Sequence, residues 1–302
     1  RRPRRPPLFP YTTLFRSGGG VTGLALNNTF MENEIRHCEN GSCSNIVDTG
    51  IKLKNMVDLY VDYVNLVPIY DGDISNVRFN NLFDGNSIHH FERNQSSASG
   101  TAVFMDQFMR ANVVTDAWSE TTVSNNNFIS NGGSGLYSSG NGIRAQQPMT
   151  NAHQIWNVTG NQIQDNGRYG FHANNDELST SSNSWTNSST EFYFRNNIVT
   201  GNGHTPLNQW DQPDGIYLYT DTSYDGISRK FLLQGNLVAD NYWDGLDYYW
   251  NGTNAASMQC DFGGGSLGST GGNAFYGNSG YDISQDDDYF VTSAKSNWWG
   301  QA

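Results

Sequence analysis

The apolar residues of this chain come in short alternating runs broken by Asn and Gly. The commonest spelling is [Asn/Gly]-Asn-x-[Phe/Ile/Val]-x-x-Asn. It occurs seven times, with its pair at Asn28/Asn33, Asn81/Asn86, Asn126/Asn131, Asn161/Asn166, Asn197/Asn202, Asn236/Asn241 and Asn273/Asn278. Its apolar position holds Phe30, Phe83, Phe128, Ile163, Val199, Val238 and Phe275, and Ser296-Asn297-Trp298-Trp299-Gly300 is an eighth, partial copy. Successive copies start 53, 45, 35, 36, 39, 37 and 24 residues apart, which describes a short coil carrying loops of variable length. A second spelling, glycine followed by an apolar or aromatic residue, reads Gly135-Leu136, Gly170-Phe171, Gly215-Ile216, Gly245-Leu246 and Gly280-Tyr281. The period-two alternation predicts strands. The Asn and Gly between them supply the left-handed or tightly turned backbone of a corner. Each unit is therefore strand, corner, strand, with further strands over 191–195 and 230–234.

A unit of this size cannot bury a face alone. Stacked copies bury a continuous apolar column and line equivalent Asn side chains into ladders, which is the logic of a solenoid. On the seven Asn copies and the closing Asn-Trp-Trp-Gly, residues 18–302 resemble the right-handed parallel β-helix proteins of the pectin-lyase-like superfamily. The resemblance implies an all-β, right-handed parallel β-helix of about eight to ten coils. A β-propeller needs blades of about 40 to 50 residues, which the last spacing of 24 cannot hold. An immunoglobulin-like sandwich has no such Asn periodicity. Because that superfamily includes lyases, hydrolases, epimerases, tailspikes and adhesins, activity has to be argued from a site.

Composition agrees with many tight turns: of 302 residues, 37 are Asn and 33 Gly, while Lys and Glu are scarce. No apolar run of about 18 residues is present, so no membrane-spanning helix is expected. Residues 1–17 differ abruptly from the rest. A basic, proline-rich lead-in precedes LFPYTTLFRS, which reads as the in-frame translation of a sequencing-library adapter, so the segment is expected to be non-native. It holds five Arg and no acid; without it Lys plus Arg falls from 17 to 12 against 29 Asp plus Glu, a net −17. Such a chain should repel nucleic acid and anionic membranes. Lys occurs only at Lys52, Lys54, Lys230 and Lys295, and the basic residues look scattered. Of three cysteines, Cys38 and Cys43 flank an Asn-Gly turn that could close as a local disulfide, and Cys260 is expected buried and single.

Alternate residues of a β-helix strand point outward, so equivalent positions form rows across one sheet. Two places after the glycine stand Tyr137, His172, Tyr217, Asp247 and Asp282; four places after it, Ser139, Asn174, Tyr219, Tyr249 and Ser284. Before the glycine, at the corner, come Ser134, Tyr169, Asp214, Asp244 and Ser279, with Trp210, Trp243 and Trp250 close in sequence. Aromatic rings, carboxylates and a His on one face suit a sugar polymer, and paired carboxylates at strand spacing would drive one pKa upward. Two register neighbours are expected, Asp214 with Asp244 and Asp247 with Asp282. The candidate catalytic residues are Asp214, Asp244, Asp247 and His172; the candidate sugar-binding residues are Tyr217, Tyr219, Tyr249 and Trp250. The carboxylates could equally be a solvated face and His172 a structural residue.

Enzyme patterns match only in part. Asp286-Asp287-Asp288 and Gly203-His204-Thr205 depart from the paired Asp and Gly-His-Gly of polygalacturonase-type hydrolases. Arg144 and Arg229-Lys230 are the basic residues that a pectate-lyase-type proton abstraction would call on. The segment 166–172, Asn-Gly-Arg-Tyr-Gly-Phe-His, is similar to one in alginate epimerases but lacks their Asp-Pro. Calcium is a weak expectation at Asp221–Gly226, whose twelfth position is Leu232, and at Asp286–Asp288; no metal site is assigned. No nucleotide-binding glycine loop is present. The reading is a secreted or surface protein that binds and cleaves or modifies a neutral or mildly acidic polysaccharide, with a non-catalytic adhesin or structural rod as the alternative. Oligomeric state is left open.

Overall fold

The computed structural model describes residues 11–15, 20–36, 49–58, 60–64, 67–70, 72–91, 100–139, 142–174, 177–180, 184–206, 212–220, 228–250, 258–285 and 291–300. The alternating runs form a right-handed parallel β-helix whose coils pass through three parallel sheets, A, B and C, in turn. Along its main path sheet A stacks eight strands: Tyr11–Phe15, Thr49–Asp58, Thr101–Ala111, Leu136–Ser139, Phe171–Asn174, Ile216–Thr220, Leu246–Trp250 and Ile283–Gln285. Tyr11–Phe15 falls inside the segment set apart by composition and pairs with Thr49–Asp58. Sheet B carries the longest strands, among them Ile74–Asp84, Val114–Ser124 and Met149–Thr159; sheet C is built of three-residue strands such as Asn127–Ile129 and Gln162–Gln164. The one antiparallel pair among the described residues is Tyr60–Val64 with Val67–Tyr70.

Inward residues of the three sheets merge into one column. Leu136, Phe171, Ile216 and Leu246 come from sheet A, Val158, Phe194 and Leu233 from sheet B, and Phe128, Ile163, Val199, Val238 and Phe275 from sheet C; all are buried. Each such side chain contributes about 1.5 to 3 kcal/mol relative to exposure. The column closes on the eighth Asn copy, where Trp299 stacks on Phe275 with centroids 5.2 Å apart. Cys260 is buried and free, as expected. Cys38 and Cys43 lie outside the described residues.

Two Asn ladders run beside the column. At the turn from sheet B to C, Nδ2 of Asn33, Asn86, Asn126, Asn161, Asn197, Asn236 and Asn273 each donates to Oδ1 of the next, ending at Asn297, at 2.9 to 3.0 Å. At the turn from C to A, Asn131, Asn166, Asn202, Asn241 and Asn278 do the same at 2.9 to 3.0 Å. The residue before each ladder Asn is left-handed. Before the first ladder these are Glu32, Gly85, Asn125, Gly160, Asn196, Gly235, Gly272 and Ser296, with φ between 51° and 74°. That is why Asn or Gly usually precedes the motif: both tolerate this conformation.

The ladder corrects the frame of the first two copies. Asn86, not Asn81, pairs with Asn126, and Ile88, not Phe83, stands opposite Phe128. Asn28 and Asn81 bond each other at 2.9 Å, and Asn81 joins an internal polar cluster with Asn55, Gln107 and Thr121. Each of these coils holds two Asn-x-apolar triplets, and the one that matches the full spelling is not the one that joins the ladder.

The last glycine copy is also out of frame, by two residues. Leu246 stands opposite Ile283 and Asp247 opposite Ser284, so Asp282 is not the neighbour of Asp247. The residue equivalent to the corner glycine is Asp282, whose carbonyl accepts from Leu246 N. The corner glycines themselves are not left-handed. A Cβ on Gly170 would lie 2.5 Å from Gly215 O, and one on Gly215 2.6 Å from Gly245 O, so close coil packing demands them.

A lobe that the repeat does not announce widens the early coils. The strand Thr101–Ala111 runs on past the column and pairs with Gly142–Ala145, which pairs in turn with Glu177–Thr180. Under it lies a second core of Ile74, Val77, Phe79, Met109, Val114, Ile143 and Met149. Buried Asn55, Asn81, Gln107 and Thr121 sit among one another's hydrogen bonds in the same coils.

Candidate functional site

The outer face of sheet A carries the predicted row in register. Lys52, Phe104, Tyr137, His172, Tyr217, Asp247 and Ser284 stand side by side on successive strands. Strand spacing of about 4.8 Å is also the distance at which rings stack. Phe104 and Tyr137 lie 5.9 Å apart at 9°, Tyr137 and His172 4.3 Å at 3°, and His172 and Tyr217 5.0 Å at 16°. Lys52 Nζ sits 5.3 Å from the Phe104 centroid. Tyr169, at the corner, roofs the row at 4.4 Å from His172 and 5.4 Å from Tyr217, and Arg168 packs over Tyr169 at 5.0 Å. His172 thus faces outward yet is only 5% exposed.

The second row brings Asn174, Tyr219 and Tyr249 together, with Tyr219 and Tyr249 stacked at 5.0 Å and 5°. Rings stacked along the rod give their faces to one another. Their edges, hydroxyls and ring nitrogens are then what a ligand meets, so sugars would be held by hydrogen bonds more than by stacking. Trp250 pairs in the backbone with Thr220, and Trp210 lies outside the described residues.

The carboxylates gather on the two coils beyond His172, Asp214 on the first and Asp244 and Asp247 on the second. Asp214 and Asp244 occupy the same corner on adjacent coils, as the expected register requires: Gly170 N donates to Asp214 O at 3.2 Å and Gly215 N to Asp244 O at 2.9 Å. Asp244 N donates to Asp214 Oδ1 at 3.0 Å. Asp244 Oδ1 accepts from Tyr281 N at 2.6 Å, an approach that needs Gly280, because a Cβ there would lie 2.1 Å from Oδ1. The next corner residue is therefore Tyr281 rather than Ser279. Asp214 is 2% exposed, and its pKa is pushed up to about 9, first by burial and then by the charges of Asp247 and Asp244. Two like charges about 5 Å apart at an effective dielectric near 20 repel by about 3 kcal/mol, a smaller effect than full burial. At neutral pH Asp214 keeps its proton beside two half-buried carboxylates.

Several expectations meet other surroundings. Asp282 accepts from Asn278 Nδ2 at 2.8 Å at the end of the second ladder. His204 is an exposed loop residue 5.7 Å from Tyr242. Asp286–Asp288 and residues 221–227 lie outside the described residues, and among the described residues no three His, Cys, Asp or Glu side chains group as a metal site. No described helix is long and apolar enough to cross a membrane. Four basic residues, Lys52, Lys54, Arg110 and Arg144, come to the outer face of sheet A and its extension, while Arg78, Arg195, Arg229 and Lys230 stand on sheet B. Lys52 could have been placed from sequence, since Gly50-Ile51-Lys52-Leu53 has the glycine spelling and Ile51 is in register with Val103. Compared with known proteins, the chain matches no family model, no curated protein and no solved structure.

Proposed function

We propose that this protein binds a polysaccharide along the outer face of sheet A and cleaves or rearranges it by acid–base chemistry, as a hydrolase, lyase or epimerase of the pectin-lyase-like kind, outside the cell or on its surface. The observation that carries the reading is Asp214, a buried carboxylic acid held protonated at neutral pH beside the carboxylates of Asp244 and Asp247. A group of that kind can give a proton to a glycosidic oxygen while a neighbouring carboxylate takes one or activates water. His172, Tyr217, Tyr219 and Tyr249 line the approach with hydrogen-bonding edges. The likeness of the Asn copies to that superfamily supports the reading.

The test is release of reducing ends, together with the ultraviolet signal of unsaturated uronides and proton exchange from solvent, across plant, algal and bacterial polysaccharides. Activity should fall as the pH passes about 9, where Asp214 loses its proton. Asp214→Asn and Asp247→Asn should each abolish it. Turnover that survives Asp214→Asn would remove the acid from the mechanism.

The closed stack from Phe104 through Tyr137 and His172 to Tyr217 favours a second reading, a non-catalytic adhesin or structural rod in which these rings only brace the coils. Silence in all three assays by the folded protein would select it.

A further inference from the structure

Away from the acid corner, the outer face of sheet B carries a closed polar network around one histidine. The strands Val114–Ser124, Met149–Thr159, Ser189–Arg195 and Ser228–Gln234 lie side by side. Trp118, His153 and Ser189 share one outward row, and Glu120, Glu191 and Lys230 stand in the next. His153 Nδ1 lies 2.8 Å from Ser189 Oγ, which lies 2.7 Å from Glu191 Oε1. His153 Nε2 lies 3.1 Å from Asn151 Oδ1. Glu191 also accepts from Lys230 Nζ at 2.8 Å and from Tyr193 OH. The Asn151 amide is oriented by its other neighbours: Nδ2 donates to the Asp116 carboxylate, and Oδ1 accepts from Asn187 Nδ2 at 3.0 Å.

A carboxylate can only accept, so Asn151 turns its NH2 group to Asp116 and its oxygen to His153. Nε2 therefore carries a proton whatever the charge of the ring. Nδ1 is left to meet Ser189, whose hydroxyl has one proton and two claimants, Nδ1 and the Glu191 carboxylate. With His153 neutral, that proton satisfies only one of them. With His153 charged, Nδ1–H donates to Oγ, the hydroxyl donates to Glu191, and every contact is a hydrogen bond. The charges around the ring pull both ways. Glu191 favours the imidazolium, as does Asp116 through Asn151, while Lys230 opposes it. Trp118 packs on the His153 ring at 4.2 Å and carries the Arg78 guanidinium at 5.2 Å. Farther along the same strands, Glu120 is bonded to Asn157 at 3.1 Å and Arg195 lies over Tyr193 at 4.8 Å. Burial lowers the pKa of His153 below the ordinary 6.5, against the pull of Glu191 and with the push of Lys230. The change of charge therefore falls in mild acid.

We propose that the Ser189 hydroxyl is a proton-driven toggle, donating to Glu191 while His153 is an imidazolium and swinging to His153 Nδ1 when the ring loses its proton. The hydroxyl hydrogen turns about one bond, and the strands stay in register. In mild acid Glu191 is held by Ser189, Tyr193 and Lys230. At neutral pH it keeps the last two and faces the Ser189 oxygen with no hydrogen between them, so the carboxylate draws away towards Lys230. The outer face of sheet B thus changes its charge and its hydrogen bonding with pH. The device stands on a different sheet from the acid corner and is independent of the polysaccharide reading.

The experiment is nuclear magnetic resonance of the whole chain with isotope-labelled histidine and glutamate, followed from about pH 5 to about pH 8. The signals that vanish in His153→Gln and in Glu191→Gln identify the two side chains. Both ring nitrogens of His153 should carry protons at the acid end, and only Nε2 at the other. The carboxyl carbon of Glu191 should shift at the same midpoint. Ser189→Ala should remove at least about half of that shift while His153 still titrates, because the hydroxyl is the link between them. Ser189→Thr, which keeps a hydroxyl, should restore it. A ring that holds one charge state across the range, a neutral ring protonated on Nδ1, or a Glu191 shift as large in Ser189→Ala as in wild type would overturn the proposal.

Discussion

Asp214→Asn should make the protein more stable, and increasingly so as pH rises. Asn preserves the shape and the Oδ1 that accepts from Asp244 N at 3.0 Å, and removes only the ability to ionise. The folded pKa of Asp214 is about 9 against an ordinary 3.8, so the native state holds a proton that the unfolded chain releases above about pH 4. Folding then takes up one proton throughout that window. Unfolding free energy falls by about 1.4 kcal/mol per pH unit until the folded group itself ionises near pH 9. The stability contributed by the neutral acid is complete below pH 4 and lost as pH climbs. At pH 7 the burden on wild type relative to the Asn variant is about 4 kcal/mol, a large share of the 5 to 15 kcal/mol typical of a domain. Urea unfolding of both proteins at pH 5, 7 and 9 measures it, read as the difference between midpoints at constant slope. A difference that stays the same at all three pH values would mean that Asp214 ionises normally, and the argument for a buried acid would fail. A variant that is more stable and inactive would mark the corner as a place where stability is given up for chemistry.

Two further substitutions test the scaffold. Asn161→Ala deletes four bonds between coils: Nδ2 to Asn197 Oδ1 and to Val123 O, and Oδ1 from Asn126 N and Nδ2, each at 2.9 Å. It should cost about 4 kcal/mol by urea unfolding, whereas Asn27→Ala, which loses one exposed bond from Asn80, should cost under about 1 kcal/mol; equal losses would deny the buried ladder its role. The buried carboxylate of Asp261 accepts from Gly263 N, Gly265 N, Leu267 N and Ser269 N at 2.9 to 3.1 Å. Asp261→Ala should lower stability by about 3 kcal/mol and speed hydrogen exchange at those four amides, and unchanged exchange would show that the loop holds itself.

The sequence displayed the solenoid wherever one residue type serves one geometric need in every coil. A left-handed residue followed by a buried amide leaves the spelling Asn/Gly-Asn, and that spelling located five of the eight ladder positions at the B-to-C turn, with Ser296-Asn297 found as a partial copy. It failed at Asn28/Asn33 and Asn81/Asn86, where the first Asn matches the whole spelling but the second is the ladder residue, because spacing carries no record of which amide is buried. The row from Tyr137 to Asp247 followed directly from the glycine corners. Asp282 did not, since Gly280 is a glycine for a different reason, the approach of the Asp244 carboxylate. The lobe around Ile143 left no signal, because its strands are short, its corners carry no repeated residue, and its pairing joins segments of unrelated pattern.

The ladders also have a direction. Along each ladder the side-chain oxygen accepts from the preceding coil's Asn and one N–H of the NH2 group donates to the following one, without reversal from Asn33 to Asn297, while the NH2 groups from Asn86 to Asn236 also donate to a main-chain carbonyl of the coil before. Aligned amides polarise one another and sum as peptide units do in a helix, giving the rod an electrical polarity with its positive end at the later coils. The second ladder meets a carboxylate there, Asp282, on the last NH2 group, that of Asn278. The two ends of the first ladder are unlike for the same reason: its first amide, that of Asn33, offers an oxygen towards any coil before it, and its last, that of Asn297, has an Asn of the preceding coil on its oxygen. Every coil between carries the same donor and acceptor at the same place, so coils of different loop length can be exchanged without changing the bonds of the ladder.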